Sequence, residues 1–266
     1  MNLLEMEKRL VRLEGQHRLL RDVVVRGFWE AIDRLDSITL PGRHMTCPIC
    51  DHSQPRDALT ICTDHCRFGG GKLERYLCPR CGCIYGPSKY LDLSQDMIDA
   101  DYALLYESYA EADSTANEIR AFRSLNPRQG GLYLDWGCGS WNRTVPILRA
   151  EGYDVWGYEP SMSAAADFVT SRRDGISARF EGLFSNNVIE HMRRPVEEFR
   201  YFHSILVPGA LMAHASPCYR YSYSDTRFHV VFLMGDSVKI LAERSGFRIV
   251  AREDDGEFIN VLFQCI

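Results

Sequence analysis

The sequence predicts a mostly parallel α/β domain preceded by a small cysteine-built module and a long N-terminal helix. Three observations predict it. Residues 132–160 run apolar segment, glycine turn, helical segment, apolar segment. Upstream stand two Cys-x-x-Cys pairs, Cys47/Cys50 and Cys78/Cys81. Before those, residues 2–36 hold no proline and repeat apolar residues every three or four positions. A chain of 266 residues, 45% hydrophobic, can bury one full core and carry appendages. The expected boundaries are 1–38 for the helix, 39–112 for the module and its linker, and 113–266 for the α/β domain.

The central stretch sets the chemistry. Leu132, Tyr133 and Leu134 lead to Asp135, and Gly137-Cys138-Gly139 makes a turn. A helix follows with Val145, Ile147 and Leu148 on one face, closed by Gly152. Val155-Trp156-Gly157-Tyr158 then ends on Glu159. This is strand, turn, helix, strand, with an acid at each strand tip. Glycines let a ligand approach the backbone, and the second acid can take a ribose diol. A dinucleotide site would want glycine at position 142, where the chain has Asn142. The pattern therefore suits a single nucleoside, or an ordinary βαβ crossover.

In the N-terminal segment Leu3, Met6, Leu10, Leu13, His17, Leu20 and Val24 form a heptad seam, which slips by one residue to Phe28, Ile32 and Leu35. Charged residues occupy the outer faces. The segment is expected to form a coiled coil that dimerises the chain or docks a partner through residues 1–36, or to pack on its own domain. Pro41-Gly42 breaks the helix. The four thiolates of Cys47, Cys50, Cys78 and Cys81, two to a knuckle, can converge tetrahedrally on one structural zinc. Cys62, Cys66, His65, His52 and Cys83 could supply a second site or be free thiols and loop residues. Residues 90–109 read as a tyrosine-rich linker helix, and Glu118 to Leu125 as the helix before the first strand.

Asp-x-Gly-Cys-Gly followed by Gly-Tyr-Glu-Pro-Ser resembles motifs I and II of the class I S-adenosylmethionine (SAM) methyltransferases. The resemblance implies a Rossmann-like seven-stranded domain. It places Asp135, Gly137, Cys138 and Gly139 at the methionine part of the cofactor, and Glu159 and Pro160 at the ribose. Relatives continue with a full strand three and an acid for the adenine amine. Here Ala164, Ala165, Ala166, Phe168 and Val169 suggest a helix ending near Arg173, leaving a strand stub at 176–178 with Asp174 the one acid nearby. Trp141 stands where many relatives have a third glycine.

Phe180 to His191 resembles motif IV, with a strand to about Ser185 and Asn186 and Asn187 beside the methyl donor. His191 is placed to take a proton from an attacking hydroxyl. Glu190 orients it, or the pair ligates a divalent ion as in resembling quinone methyltransferases. After a helix from Pro195, Leu206-Val207-Pro208-Gly209-Ala210 resembles the family's Pro-Gly turn into strand five at 211–215. The next loop is polar and aromatic. Its Tyr219, Tyr221, Tyr223, Asp225 and Arg227 are candidate carbohydrate contacts, or incidental surface residues, and His229 is a second candidate base. A helix over 235–244 and strands at 247–250 and 258–263 complete the domain.

The net charge of −5 and pI of about 5.9 argue against a nucleic-acid binder. No run approaches a membrane span, and the charged N-terminus does not read as a signal peptide. With that context ten cysteines point to reduced thiols and a metal, in the cytoplasm. A zinc module followed by a methyltransferase domain is similar to sugar methyltransferases of polysaccharide and antibiotic pathways. The resemblance implies SAM-dependent O-methylation of a sugar, on a nucleotide-sugar or a surface glycan. C-methylation, another small-molecule acceptor, and a degenerate scaffold or adaptor working through the helix and zinc module are the alternatives.

Overall fold

The structure is a computed structural model describing residues 3–107, 109, 112–140, 143–162 and 167–266. It opens on α1 (Leu3–Thr39), one helix of 37 residues. Residues 3–20 are all exposed, including the seam residues Leu3, Met6, Leu10, Leu13 and Leu20. From Val25 onward the helix packs on the rest of the chain. Trp29 is fully buried and stacks on Tyr90 with ring centroids 6.3 Å apart, and Phe28 and Ile32 pack beside it. The one-residue slip in the seam thus marks where a free apolar face gives way to a packed one.

The cysteine module is built from short antiparallel pairs. β1 (His44–Thr46) pairs with β2 (Ser53–Pro55), while β3 (Thr60–His65), β4 (Lys72–Leu77) and β5 (Ile84–Tyr85) form a meander. The tyrosine-rich linker is two helices, not one: α2 (Ser88–Leu91) and α3 (Gln95–Tyr106), with the Ser94 hydroxyl capping α3. α4 (Thr115–Ser124) then leads into the main sheet.

That sheet contains β6 (Leu132–Trp136), β7 (Asp154–Tyr158), β8 (Val169–Thr170), β9 (Phe180–Asn186), β10 (Leu206–Ala215), β12 (Phe247–Asp254) and β13 (Ile259–Cys265). Their spatial order is β12-β13-β10-β9-β6-β7-β8. The five strands from β8 to β10 are mutually parallel, and β13 runs antiparallel between β10 and β12. The α/β class and seven strands are as the sequence implies. α5 (Thr144–Ala150), α6 (Pro195–Ile205) and α7 (Ser237–Arg244) provide the crossovers. The chain leaves β6 toward β7 and later returns to β9 on its other side. The carboxyl ends of β6 and β9 therefore flank the topological switch point, where open α/β sheets bind ligands.

Strand three differs from expectation. The stub is β8, earlier than 176–178, and Phe168 to Thr170 are turn and strand where helix was expected; the alanines at 164–166 lie outside the described residues. Phe168 sets this register by packing edge-on to Trp156, 5.5 Å between centroids, with the Arg149 guanidinium 3.5 Å from its ring centre. Gly157 N–H then donates to the Phe168 carbonyl at 2.8 Å, and Glu159 N–H to that of Thr170 at 3.0 Å. Ile147 faces outward, leaving Thr144, Val145 and Leu148 as the buried side of α5.

The two halves share a sheet. β11 (Val231–Phe232), from the segment between β10 and α7, pairs with β5 and makes the fourth strand of the module's meander. Among the described residues no helix is long and apolar enough to cross a membrane.

Candidate active site and cysteine cluster

The glycine turn is held by close approach on both sides. Gly137 has φ +75, and a Cβ there would lie 2.6 Å from Val188 Cγ2, so side chains are excluded by strain and by contact. Its N–H and that of Cys138 both donate to the Tyr158 carbonyl, at 2.8 and 3.1 Å. Asp135 is buried at the tip of β6, level with Gly157 of β7 and Phe184 of β9. Burial, then the charges of Asp135 and Glu159, push the Cys138 thiol up, so it is a neutral turn residue. Trp141 and Asn142 lie outside the described residues.

Glu159 lies on the far side of the turn. Its Oε2 accepts from Gly139 N–H at 3.0 Å, and its Oε1 accepts from Ser161 N–H and Oγ at 2.9 and 2.6 Å. A carboxylate accepts about four hydrogen bonds, so these contacts orient the group and leave capacity for a further donor. Pro160 follows, exposed. Ser161, the last residue of the quoted motif, was given no role by the resemblance and here orients Glu159.

At the end of β9, Ser185 Oγ and His214 Nδ1 are 2.5 Å apart in the interior. Burial pushes His214 down to about 3, which keeps it neutral. Asn186 is different: its side-chain Nδ2 is buried with no hydrogen-bond partner among the described residues. A stranded donor at the switch point fits a ligand carboxylate or carbonyl in the cleft. Asn187 adopts φ +56 and donates its N–H to the Ala215 carbonyl at 2.9 Å, turning the chain into a 3-10 segment, residues 189–191. The glycine turn, the acceptor capacity of Glu159 and the donor on Asn186 together fit SAM.

That 3-10 turn carries Glu190 and His191. Glu190 is buried, and its Oε2 accepts from Ser216 Oγ at 2.7 Å. His191 Nδ1 lies 2.9 Å from the Tyr102 hydroxyl and 3.0 Å from the Phe228 carbonyl. A carbonyl only accepts, so the ring proton belongs on Nδ1 and the lone pair on Nε2. His229 joins them, its ring centroid 5.0 Å from that of His191. Burial, then His191 and Arg75, push His229 down to about 2. One donor atom from each of Glu190, His191 and His229 lies within 4.8 Å of the others. Tyr102 and Ser216 were not singled out in the sequence, since their partners are remote along the chain.

The loop expected to face an acceptor docks largely against the cysteine module. The fully buried Arg75 of β4 donates to the carbonyls of Ser224, Thr226 and His229 at 2.7, 2.6 and 3.2 Å. Arg227 makes a buried two-pronged pair with Asp101 at 2.6 and 2.7 Å and donates to the Phe68 carbonyl. Tyr219 is buried, its hydroxyl donating to the His214 carbonyl, and Tyr221 donates to Asp64 at 2.6 Å. Asp225 pairs with Arg67 at the surface, and of the three tyrosines Tyr223 alone is exposed. Tyr219 and Arg227 therefore hold the loop in place, which sequence periodicity could not reveal.

The two cysteine knuckles repeat one turn. Cys47 N–H donates to the His52 carbonyl and Asp51 N–H to that of Cys47; Cys78 N–H donates to Cys83 and Gly82 N–H to Cys78. Asp51 and Gly82 occupy the same place with φ +56 and +78. The sulfurs of Cys47 and Cys81 are 3.6 Å apart, and those of Cys50 and Cys78 3.5 Å. All four are buried within 4.8 Å of one another, which suits a tetrahedral dication such as zinc. The Cys81 thiol is pushed up by its hydrogen bond with Cys47 and then by burial. At Cys78 burial is outweighed by backbone hydrogen bonds from Cys81 and Arg80, which draw the thiol down. Cys62, Cys66, His65, His52 and Cys83 form no comparable cluster among the described residues. His52 pairs with Gln54, and Cys66 with Arg227.

Residues 106–252, more than half of the chain, match a family model described as a methyltransferase domain. No curated protein matches the chain. Solved structures with a similar fold include an S-adenosylmethionine dependent methyltransferase from Mesorhizobium loti, 18% identical, covering 56% of this chain and 97% of its own with a TM-score of 0.42. Another is the 1,6-didemethyltoxoflavin-N1-methyltransferase of Burkholderia thailandensis, 11% identical over 71% of this chain and 97% of that one, TM-score 0.48. A third is the glycopeptide N-methyltransferase MtfA, 16% identical over 63% and 98%, TM-score 0.43. By its family match, sheet order and glycine turn, the chain belongs to the methyltransferase-domain family and carries a class I SAM-dependent methyltransferase domain.

Proposed function

We propose that the protein methylates an oxygen of a sugar, carried on a nucleotide or a surface glycan. One observation carries this reading. Glu190 and His191 follow by two and three residues on Val188, the residue packed against the glycine turn, and His229 meets them there from the segment before β11. Bound SAM supplies an electrophilic methyl carbon on a sulfonium. The remaining work falls to the chain. Asp135, Gly137, Cys138 and Gly139 border the methionine part, Glu159 and Pro160 the ribose, and Ser185, Asn186 and Asn187 the space between donor and acceptor. His191, its Nδ1 proton held on the Phe228 carbonyl, offers Nε2 to the proton of an acceptor hydroxyl. Burial and the neighbouring His191 and Arg75 hold His229 well below the usual histidine range, which makes it the weaker of the two candidate bases. The exposed Tyr223 and the Asp225–Arg67 pair offer stacking and hydrogen bonding to a hydroxyl-rich ring.

The Cys47–Cys50–Cys78–Cys81 cluster is closed, so its zinc serves folding. The bare seam of α1 supports a homo-oligomer. The same seam favours the second reading, a methyltransferase-fold scaffold acting through helix and module.

Calorimetric titration of the zinc-loaded protein with SAM and S-adenosylhomocysteine separates the two. Micromolar binding of both, lost in Glu159→Ala and Asp135→Ala, supports the enzyme and opens an acceptor screen over nucleotide-sugars. His191→Ala should keep cofactor affinity while turnover falls about 10²–10⁴-fold. A well-folded sample that binds neither ligand makes the scaffold the better reading.

A further inference from the structure

We infer that the cleft between α1, the tip of the β3–β4 hairpin and α3 binds the diphosphate of a nucleotide-linked acceptor. The inference rests on the methyl-transfer reading for what the diphosphate carries, and it commits that reading to the nucleotide-sugar.

The lining charges point to an anion. The chain has a net charge of −5, yet this cleft presents Arg21 and Arg26 from α1, Arg67 from the hairpin tip and Arg227 from the loop after β10. The one carboxylate in the lining is Asp22. Arg227 is committed to Asp101 and forms the floor. The other three have donors to spare. Arg67 spends two of its five N–H groups on Asp225, at 2.8 and 2.6 Å. Arg21 reaches the neighbouring Asp22 at 3.1 Å. Arg26 has no ion pair or hydrogen bond among the described residues.

The backbone of the hairpin tip favours an anion as well. Cys66 N–H closes the tip on the Gly71 carbonyl at 2.9 Å, and Gly69 takes φ +75. The carbonyls of Phe68 and Gly70 accept from the buried Arg227 and Lys89, at 2.9 and 2.6 Å, so neither is a bare lone pair that would repel an anion. The N–H groups of Gly69 and Gly70 find no backbone acceptor among the described residues, and turn donors of this kind make anion-binding concavities.

Size and chemistry narrow the ligand. Guanidinium forks match phosphate oxygens, and arginines converging from separate elements suit an ion with several oxygens and more than one charge. The cleft holds about 220 Å³, below the roughly 300–1,000 Å³ of sites that enclose a whole small molecule, so it takes the charged middle of a ligand whose ends lie outside. Both walls connect to the methyl-transfer site. Arg227 precedes Phe228, whose carbonyl holds His191 Nδ1, and Leu104 and Leu105 follow Tyr102, whose hydroxyl meets the same nitrogen. The Asp225–Arg67 pair then serves two parts of one ligand: the carboxylate accepts from a sugar hydroxyl, and the guanidinium donates to the adjoining phosphate.

The test is calorimetric titration of the zinc-loaded protein with the diphosphates of uridine, thymidine, guanosine, cytidine and adenosine, with the parent nucleosides and with inorganic pyrophosphate. At least one nucleoside diphosphate should bind, more weakly as salt rises, while its nucleoside does not. Arg26→Glu, a change at an exposed position, should weaken that binding about tenfold or more and leave zinc content and S-adenosylhomocysteine affinity as they are. No diphosphate binding, or binding that Arg26→Glu leaves unchanged, overturns the site. Pyrophosphate binding as tight as that of the best nucleoside diphosphate makes this a pocket for free phosphates and overturns the nucleotide-linked acceptor. Cofactor titration of the same samples keeps the two readings apart. Diphosphate binding without S-adenosylhomocysteine binding keeps the cleft and sinks methyl transfer; the reverse sinks the cleft and leaves methyl transfer standing.

Discussion

Replacing Arg227 with methionine tests whether the loop after β10 is held by the module or reserved for an acceptor. The guanidinium is 1% exposed and bonded to both carboxylate oxygens of Asp101, itself 7% exposed. It also lies 5.1 Å from the Trp29 ring centre and 4.5 Å from that of Phe228. Methionine fills much of the volume but strands Asp101 as an uncompensated buried charge. Breaking a buried pair in this way costs about 3–5 kcal/mol. In a chain of this length that corresponds to a fall in melting temperature of about 6–20 °C. Differential scanning calorimetry reads the shift, and a second variant checks its cause. Adding Asp101→Asn to Arg227→Met should restore a substantial part of the loss, because it removes the stranded charge. A melting temperature within about a degree of the parent, with only KM for the acceptor raised, would refute the structural role and return Arg227 to the acceptor site.

Three further outcomes are expected. Cys47→Ser or Cys78→Ser should release zinc, measured by elemental analysis, and destabilise the fold; a stable, metal-free variant would defeat the zinc assignment. His214 is held neutral by burial, with its pKa lowered to about 3, so the unfolded chain binds more protons between there and about 6.5. Its contribution to stability is complete above about 6.5 and is lost as pH falls toward 3, at up to about 1.4 kcal/mol per pH unit. Denaturant midpoints measured against pH should fall less steeply in His214→Asn. Deleting residues 1–20, of which 3–20 are exposed throughout, should leave the melting temperature nearly unchanged, and light scattering should show a smaller assembly than the full chain if the seam of α1 joins copies.

What the sequence made legible follows from how local each signal is. The glycine turn, its flanking strands and the two cysteine knuckles are built from neighbours, so residue type and spacing predict them. The turn that carries Glu190 and His191 is local in the same way. The docking of the loop at 216–232 was not. Arg75, Asp101 and Arg227 lie on three different elements, and nothing in the local pattern of a polar, tyrosine-rich stretch says that two of its members will be buried by ion pairing and packing. Strand three shows another failure. A run of small residues favours helix by intrinsic propensity, yet Phe168 seats on Trp156 and Arg149 and draws Val169 and Thr170 onto the sheet edge. The second histidine of the cluster was visible as a candidate, but its proximity to the first depends on the Val230–Glu190 hydrogen bond, a tertiary contact.

The shared strand has a consequence for biosynthesis. During translation the knuckles emerge early, and their sulfurs can capture metal as soon as Cys81 clears the ribosome. The strand at 84–85 finds its partner only when residues 231–232 are made. Until then the nascent module carries an open strand edge beside a buried arginine whose carbonyl acceptors do not yet exist. A metal held by the four sulfurs at that stage would keep the unfinished piece together, so if the zinc assignment is right, expression with a zinc chelator should lower the yield of full-length protein.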